Sequence, residues 1–165
     1  MASIHLGDHP IRTAGELPSV GSQAPDFVLT GTDLGEIKRS DFSGKRLVLN
    51  IFPSIDTGVC AASARRFNQE ASGLDNTVVL NVSKDLPYAQ KRFCAAEGLE
   101  NVLNGSEFKS TLFSDNYRVT MIEGRMAGLF SRAVVVINTD GTIIHTEQVP
   151  TIGQEPDYEA AIAVL

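Results

Sequence analysis

Two short segments of the chain are almost continuously apolar, and they predict the central strands of a sheet. The segments are RLVLNIF at residues 46–52, bounded by Gly44 and Pro53, and TVVLNVS at residues 77–83. Apolar runs of this length are typical of strands that are buried on both faces. We therefore expect these two strands to be neighbours in the interior of a sheet.

Between the two strands, apolar residues recur at the spacing of an amphipathic helix that ends near Gly73. The positions i, i+4, i+7, i+11 and i+14 are occupied by Cys60, Ala64, Phe67, Ala71 and Leu74. A right-handed crossover through this helix would make the two strands parallel and place the helix on one face of the sheet. Cys60 would then lie in the first turn of the helix.

The N-terminal region predicts four further short strands. SIHL and PIRTA flank residues 7–9, Gly-Asp-His, in the pattern of a β-hairpin. The segment DFVLTGTDLGEIKR contains two more short strands around residues 31–35.

The second half of the chain predicts three helices and a hairpin. Asp85 and Pro87 indicate a helix start, with Asp85 as the capping carboxylate, and the helix YAQKRFCAAE carries Cys94 and stops at Gly98. Residues 106–116 predict a further helix. RAVVVIN and TIIHTEQV flank Thr-Asp-Gly at residues 139–141 as a hairpin, and EPDYEAAIAVL predicts a closing helix with proline in its first turn.

The sum of these elements is an α/β arrangement, a mixed central sheet with helices on both faces, which resembles a thioredoxin-like fold with an N-terminal β-hairpin extension. The chain has 165 residues, and no composition shift, linker or internal repeat divides it. We expect one domain over residues 1–165.

Composition narrows the classes of partner. Hydrophobic residues make up 42% and charged residues 21%, as in ordinary globular proteins, and the net charge of −6 opposes binding to nucleic acid. The N-terminus has no basic segment followed by an apolar one, and no apolar run approaches the length of a membrane span. The expected location is therefore the cytoplasm, with no membrane as a partner.

The chain contains two cysteines, Cys60 and Cys94, which are too few for a disulfide scaffold. A core of this size does not need a disulfide to fold, so any pairing is expected to be chemical rather than architectural. The three histidines, His5, His9 and His145, have no ligand spacing with one another or with the cysteines, so we expect no metal site.

The stretch FPSIDTGVC at residues 52–60 could activate a cysteine. A free cysteine has a pKa of about 8.5, so an enzyme that relies on its thiolate must stabilise the anion. The free N–H groups and the dipole of a helix N-terminus favour an anion in the first turn, where Cys60 is expected. Thr57, three residues earlier, could reach the sulfur or the free N–H groups, and Pro53 could exclude water. A cation would complete the site.

The longer string LNIFPSIDTGVCAASARRFNQ at residues 49–69 closely resembles the thiol peroxidase group of the peroxiredoxins. The resemblance extends to LPYAQKRFCAAEGL at 86–99, to RAVVVIN at 132–138 and to the C-terminal EPDYEAAIAVL, and it covers most of the chain.

The resemblance implies a function for five residues. Pro53, Thr57 and Cys60 match the active-site motif, with Cys60 as the peroxidatic nucleophile; Cys94 matches the resolving cysteine, and Arg132 matches the arginine that contacts thiolate and peroxide. Cys60 would form a sulfenic acid and then a disulfide with Cys94, which thioredoxin would reduce. The resemblance also implies a homodimer, hydrogen peroxide and organic hydroperoxides as substrates, and no metal or organic cofactor.

Two structural questions stay open at this stage. Cys60 and Cys94 lie on different predicted helices, whereas a disulfide needs Cα atoms within about 7 Å, so we predict local unfolding around one or both cysteines. The segment NYRVTMIEGRMAGLF at residues 116–130 could line an apolar pocket for alkyl hydroperoxides or simply cap the core. The resemblance places a dimer interface and the rim of the site in this segment.

Two other functions compete with a peroxidase. A thiol-disulfide oxidoreductase of the same fold normally uses C-x-x-C, but Thr57 occupies the position three residues before Cys60. A redox sensor or chaperone needs the same reactive thiolate as a peroxidase, and only turnover distinguishes it.

Overall fold

The computed structural model describes all of residues 1–165, which form two sheets and four α-helices. The smaller sheet is an antiparallel pair, β1 (Ser3–Leu6) and β2 (His9–Arg12). The larger sheet contains β3 (Val28–Thr30), β4 (Glu36–Lys38), β5 (Arg46–Ile51), β6 (Thr77–Ser83), β7 (Val102–Ser106), β8 (Ala133–Ile137) and β9 (Ile143–Gln148). The helices are α1 (Gly58–Ala71), α2 (Pro87–Glu97), α3 (Leu112–Tyr117) and α4 (Tyr158–Ala163), and a short 3-10 turn spans Arg39–Phe42.

The larger sheet is mixed, with strand order β4-β3-β7-β6-β5-β8-β9. β5, β6 and β7 are parallel, while β5 pairs with β8 in the antiparallel sense. The predicted strand–helix–strand unit β5-α1-β6 is confirmed, and so are the N-terminal hairpin, the β3–β4 pair and the β8–β9 hairpin. The α/β, thioredoxin-like fold class is therefore confirmed.

Helices cover both faces of the larger sheet because its central strands are apolar on both sides. On one face, Phe67 of α1 and Tyr158 of α4 meet edge to face, with ring centroids 5.1 Å apart. On the other face, Phe113 and Tyr117 of α3 stack 4.6 Å apart and pack with Phe27. The sheet thus has a hydrophobic core on each side.

The predicted helix over residues 106–116 is wrong in its first half. Residues 102–106 form strand β7, and the helix begins only at Leu112. Asn104 and Gly105 disguise the strand in the sequence, because both residue types are rare in strands. In the fold, the side chain of Asn104 bonds to the neighbouring strand, and Gly105 lies against Leu29 of β3.

Several helix ends also differ from the sequence prediction. Helix α1 ends at Ala71, so Leu74 lies beyond it. Pro156 precedes α4 rather than lying in its first turn, and Asp157 caps that helix by accepting a hydrogen bond from the Ala160 N–H at 3.0 Å. Asp85 does not cap α2; the capping position is Leu86, which makes no side-chain hydrogen bond there.

Residues 116–130 run between α3 and β8, and part of the segment packs into the core. Met121 is fully buried in a small cluster with Ile4, Ile11 and Ile152, while Ile122 is exposed. These contacts favour the core-capping interpretation for Met121, and they join the N-terminal hairpin to the rest of the molecule. None of the helices is both long and apolar enough to cross a membrane.

Candidate active site

The site lies where β5 gives way to α1. β5 ends at Ile51, and Phe52 and Pro53 continue the chain as buried residues before a turn leads to Gly58, the first residue of α1. Cys60 therefore lies in the first turn of α1, as predicted. Its side chain forms a small buried cluster with Phe52 and Ile55.

Thr57 is the N-cap residue of α1. Its hydroxyl oxygen accepts a hydrogen bond from the backbone N–H of Cys60 at 3.3 Å, and its backbone is extended, as is usual at this position. The Thr57 hydroxyl also donates to the carbonyl of Ser54 at 3.4 Å. Thr57 thus fixes the start of the helix on which Cys60 lies.

Arg132, immediately before β8, supplies the cation that the sequence argument required. Its side chain is almost completely buried, and its Nη2 donates to Cys60 Sγ at 3.3 Å. The Nε atom donates to the carbonyl of Ile152 at 3.0 Å, while Nη1 is buried without a hydrogen-bond partner. The Nε and Nη2 edge of the guanidinium therefore holds the Ile152 carbonyl and the sulfur, and the Nη1 amino group beside it is free.

The N-terminal hairpin positions the Ile152 carbonyl that orients Arg132. The backbone N–H of Ile152 donates to the carbonyl of His5 at 2.9 Å, and the backbone N–H of His5 donates to the carbonyl of Pro150 at 2.8 Å. Ile4 of the same strand is buried beside Ile152. The extension that precedes the sheet in sequence thus supports the site.

Asp85 has a place in the site that the sequence argument missed. Its carboxylate accepts hydrogen bonds from Ser54 Oγ at 2.9 Å, from the Ile55 N–H at 2.9 Å and from Ser83 Oγ at 2.6 Å. It therefore holds the turn before α1 instead of capping α2. The only sequence signal for this role is that Asp85 lies two residues after the apolar strand β6. Neighbouring parallel strands end at the same edge of a sheet, so this position lies close to the end of β5.

Cys94 lies half-buried on α2. Its sulfur accepts a hydrogen bond from Asn104 Nδ2 at 3.0 Å. Burial raises the pKa of the Cys94 thiol, and the Asn104 hydrogen bond acts in the opposite direction. Neither cysteine is in a disulfide, and each has its own hydrogen-bond donor. The side chain of Phe93 packs against the hydrophobic clusters next to both cysteines.

The fold therefore brings together Thr57, Cys60 and Arg132 at one edge of the sheet, with Pro53 buried in the segment that follows β5. Cys94 occupies a separate environment on α2. No cluster of histidine, cysteine and carboxylate side chains has the proximity needed to hold a metal ion.

Comparisons with known proteins show the family to which the chain belongs. The family model described as Redoxin matches residues 19–162. The thiol peroxidase of Mycobacterium tuberculosis is 57% identical over 165 residues, which cover 100% of this chain and 99% of that protein. The thiol peroxidase of Corynebacterium glutamicum is 51% identical over 166 residues, with 100% and 99% covered.

Structural comparison also finds a peroxiredoxin-like protein. The peroxiredoxin-like protein from Aquifex aeolicus superimposes with a TM-score of 0.92 at 33% identity, covering 98% of this chain and 94% of that one. The resemblance inferred from residues 49–69 is confirmed by both kinds of comparison. The chain belongs to the redoxin family and, within it, to the thiol peroxidase group of the peroxiredoxins.

Proposed function

We propose that the protein is a peroxidase that reduces hydrogen peroxide and organic hydroperoxides at Cys60. The observation that carries this proposal is the contact between Cys60 Sγ, buried in the first turn of α1, and Arg132 Nη2 at 3.3 Å. A guanidinium that donates to sulfur stabilises the thiolate, which is the nucleophilic form. The name thiol peroxidase, printed for relatives over the full length of the chain, supports the same chemistry.

In the first step, the Cys60 thiolate attacks one oxygen of the peroxide. The O–O bond breaks, the second oxygen leaves as an alcohol or water after it takes up a proton, and Cys60 becomes a sulfenic acid. Negative charge develops on the leaving oxygen, and a donor fixed nearby lowers the barrier. Arg132 Nη1 suits this role because it is a buried donor without a protein partner, on the same guanidinium that holds the sulfur.

Thr57 and Pro53 prepare this step. Thr57 fixes the N–H groups at the start of α1 by its hydrogen bond to the Cys60 N–H. Pro53 is buried directly after Phe52, which packs with Cys60, and it has no N–H of its own to bind water, so it can help keep this end of β5 dry. A site with less water strengthens the interaction between the guanidinium and developing negative charge.

In the second step, the Cys94 sulfur attacks the sulfenic acid sulfur of Cys60, water leaves, and a disulfide forms. Each sulfur has a separate partner in the reduced protein, Arg132 for Cys60 and Asn104 for Cys94. We therefore retain the prediction that α2 or the start of α1 unfolds locally to let the sulfurs meet.

A dithiol of the thioredoxin type then supplies two electrons and two protons, which restore both thiols. We place this cycle in the cytoplasm, where such reductants keep thiols reduced, and we propose that the enzyme acts as a homodimer. Cell fractionation and analytical ultracentrifugation test these two points.

Steady-state peroxide consumption with thioredoxin, thioredoxin reductase and NADPH tests the proposal. Wild type should turn over, Cys60→Ser should be inactive, and Cys94→Ser should not be recycled efficiently by thioredoxin. Full activity of Cys60→Ser would disprove the mechanism. A stoichiometric reaction without turnover in wild type would instead favour a redox sensor.

A further inference from the structure

Three asparagines form a row across the buried centre of the larger sheet. Asn50 on β5 is paired in register with Asn81 on β6, and Asn81 with Asn104 on β7. All three are buried, with exposed fractions of 0%, 1% and 6%. Each follows a leucine, at residues 49–50, 80–81 and 103–104. Amides are costly inside apolar strands unless they are hydrogen-bonded, so this row needs a physical explanation.

The amides are joined by hydrogen bonds that all run in one direction. Asn50 Nδ2 donates to Asn81 Oδ1 at 2.9 Å, and Asn81 Nδ2 donates to Asn104 Oδ1 at 3.3 Å. Asn104 Nδ2 then donates to Cys94 Sγ at 3.0 Å. Aligned amides polarise one another, so the donor end of the row, which is directed at the Cys94 sulfur, is strengthened.

The other end of the row reaches the backbone of Cys60. Asn50 Nδ2 also lies 3.4 Å from Ser63 Oγ, and Ser63 Oγ donates to the Cys60 carbonyl at 2.9 Å. Asn50 Oδ1 is buried without a partner, which is an unfavourable feature of the fold. The row thus leaves an acceptor unsatisfied at one end and holds a sulfur at the other.

Oxidation would break the last bond of this row. The Cys60 sulfur is enclosed with Phe52 and Ile55 and is held by Arg132, so we take α2 as the element that moves when the disulfide forms. The Cys94 sulfur then leaves its place beside Asn104. Asn104 Nδ2 would then be a buried donor without an acceptor. An unsatisfied buried donor costs more free energy than a typical hydrogen bond contributes.

We propose that Asn104, supported by Asn81 and Asn50, is a positioning residue that stabilises the Cys94 thiol relative to the Cys60–Cys94 disulfide. The inference rests on the proposed function, because it requires that disulfide. The row makes the disulfide easier to reduce: when a dithiol supplies two electrons and two protons, the S–S bond breaks, and Cys94 regains its hydrogen bond. Asn104 favours recycling without touching the peroxide.

The equilibrium between the protein and a dithiothreitol redox buffer tests the proposal in wild type and in Asn104→Leu. The hydrogen bond from Asn104 to the sulfur exists only in the reduced state, so its loss changes the redox equilibrium. The variant also removes the acceptor for Asn81, but this loss affects the reduced and oxidised states equally and does not change the equilibrium. The equilibrium should move at least about five-fold toward the disulfide, because one hydrogen bond contributes about that factor and an unsatisfied buried donor costs more. Asn104→Ser, whose hydroxyl is too short to reach the sulfur, should give a shift in the same direction if the leucine variant does not fold.

Thr13→Val is the control, because Thr13 is buried and the variant removes the hydrogen bonds of its hydroxyl, which donates to the Gly15 carbonyl at 2.6 Å and accepts from the Ala2 N–H at 3.2 Å. None of these bonds involves a cysteine. Thr13→Val should lower stability and leave the redox equilibrium unchanged. Two results would overturn the inference and leave the proposed function intact. In one, wild type forms the disulfide and Asn104→Leu has the same redox equilibrium; in the other, Thr13→Val shifts the equilibrium as much as Asn104→Leu does. Failure of wild type to form a Cys60–Cys94 disulfide would overturn both the inference and the resolving step.

Discussion

Arg132 is a buried cation, and its environment makes it dependent on Cys60. It forms none of the salt bridges in the protein, all of which join other residues. A buried charge is costly unless it is paired, and the hydrogen-bonded partner that can carry the opposite charge is the Cys60 sulfur. The guanidinium and the Cys60 sulfur therefore hold each other in place in the core.

Replacing Arg132 by lysine should slow the reaction of Cys60 with peroxide by about 100-fold, the effect of removing one fixed donor from a developing anion. Lysine keeps the charge but lacks the planar fork that bonds the sulfur and the Ile152 carbonyl at once and leaves Nη1 as a further donor. Stopped-flow measurement of the second-order rate constant checks this. Arg118→Lys, at an exposed arginine bonded to Ala14, is the control and should react at the wild-type rate.

Cys94 should ionise at higher pH in the native protein than in the unfolded chain. Burial raises the pKa of its thiol in the folded state. In Cys60→Ser, the pH midpoint of Cys94 alkylation should therefore be higher in native protein than in urea. Between the two midpoints the native state keeps a proton that the unfolded chain has lost, so the free energy of unfolding should fall as pH rises there. A native midpoint at or below that in urea would contradict this.

At the scale of elements, β7 shows where pattern reasoning fails. Apolar periodicity correctly predicted β5, β6 and the first turn of α1, because these elements bury aliphatic side chains on one or both faces. In β7, however, Asn104 bonds to a neighbouring amide and Gly105 makes room for β3. Both residues look like turn residues until the neighbouring strands are known, so local sequence could not reveal this strand.

Gly105→Ala should destabilise the protein by about 1–3 kcal/mol, the usual cost of overpacking a core. A Cβ at this position would lie 2.7 Å from Cδ1 and 3.0 Å from Cβ of Leu29. Gly153→Ala is the control, because its Cβ would meet no atom within 4 Å. Urea denaturation of the two variants measures the difference, and equal stabilities would show that β3 yields to the added methyl group.

At the scale of the whole molecule, the site depends on segments that are far apart in sequence. The three-residue spacing of Thr57 and Cys60 correctly predicts that they lie close together, because both belong to the start of α1. Arg132, by contrast, was selected by resemblance alone, since only the pairing of β8 with β5 brings it to Cys60. The contribution of the N-terminal hairpin could not be predicted, because it acts through backbone bonds at residues 150–152.

Ile4→Ala should therefore slow the peroxide reaction as well as destabilise the fold by about 2–5 kcal/mol. Ile4 is fully buried against Ile152, whose carbonyl orients Arg132. Ile143→Ala removes a fully buried side chain from a different core cluster and should lower stability without slowing the reaction. Both variants are measured under conditions where they are folded. If Ile4→Ala and Ile143→Ala both react with the wild-type rate constant, the hairpin has no influence on the site.

The central claim is that Cys60, and not Cys94, attacks the peroxide. Single-turnover mass spectrometry with one equivalent of hydrogen peroxide and a sulfenic-acid trapping reagent tests it directly. Cys94→Ser should carry one trapped adduct on Cys60, wild type should instead show a Cys60–Cys94 disulfide, and Cys60→Ser should remain unmodified. A trapped adduct on Cys94 in Cys60→Ser, formed as fast as the reaction in wild type, would contradict the account.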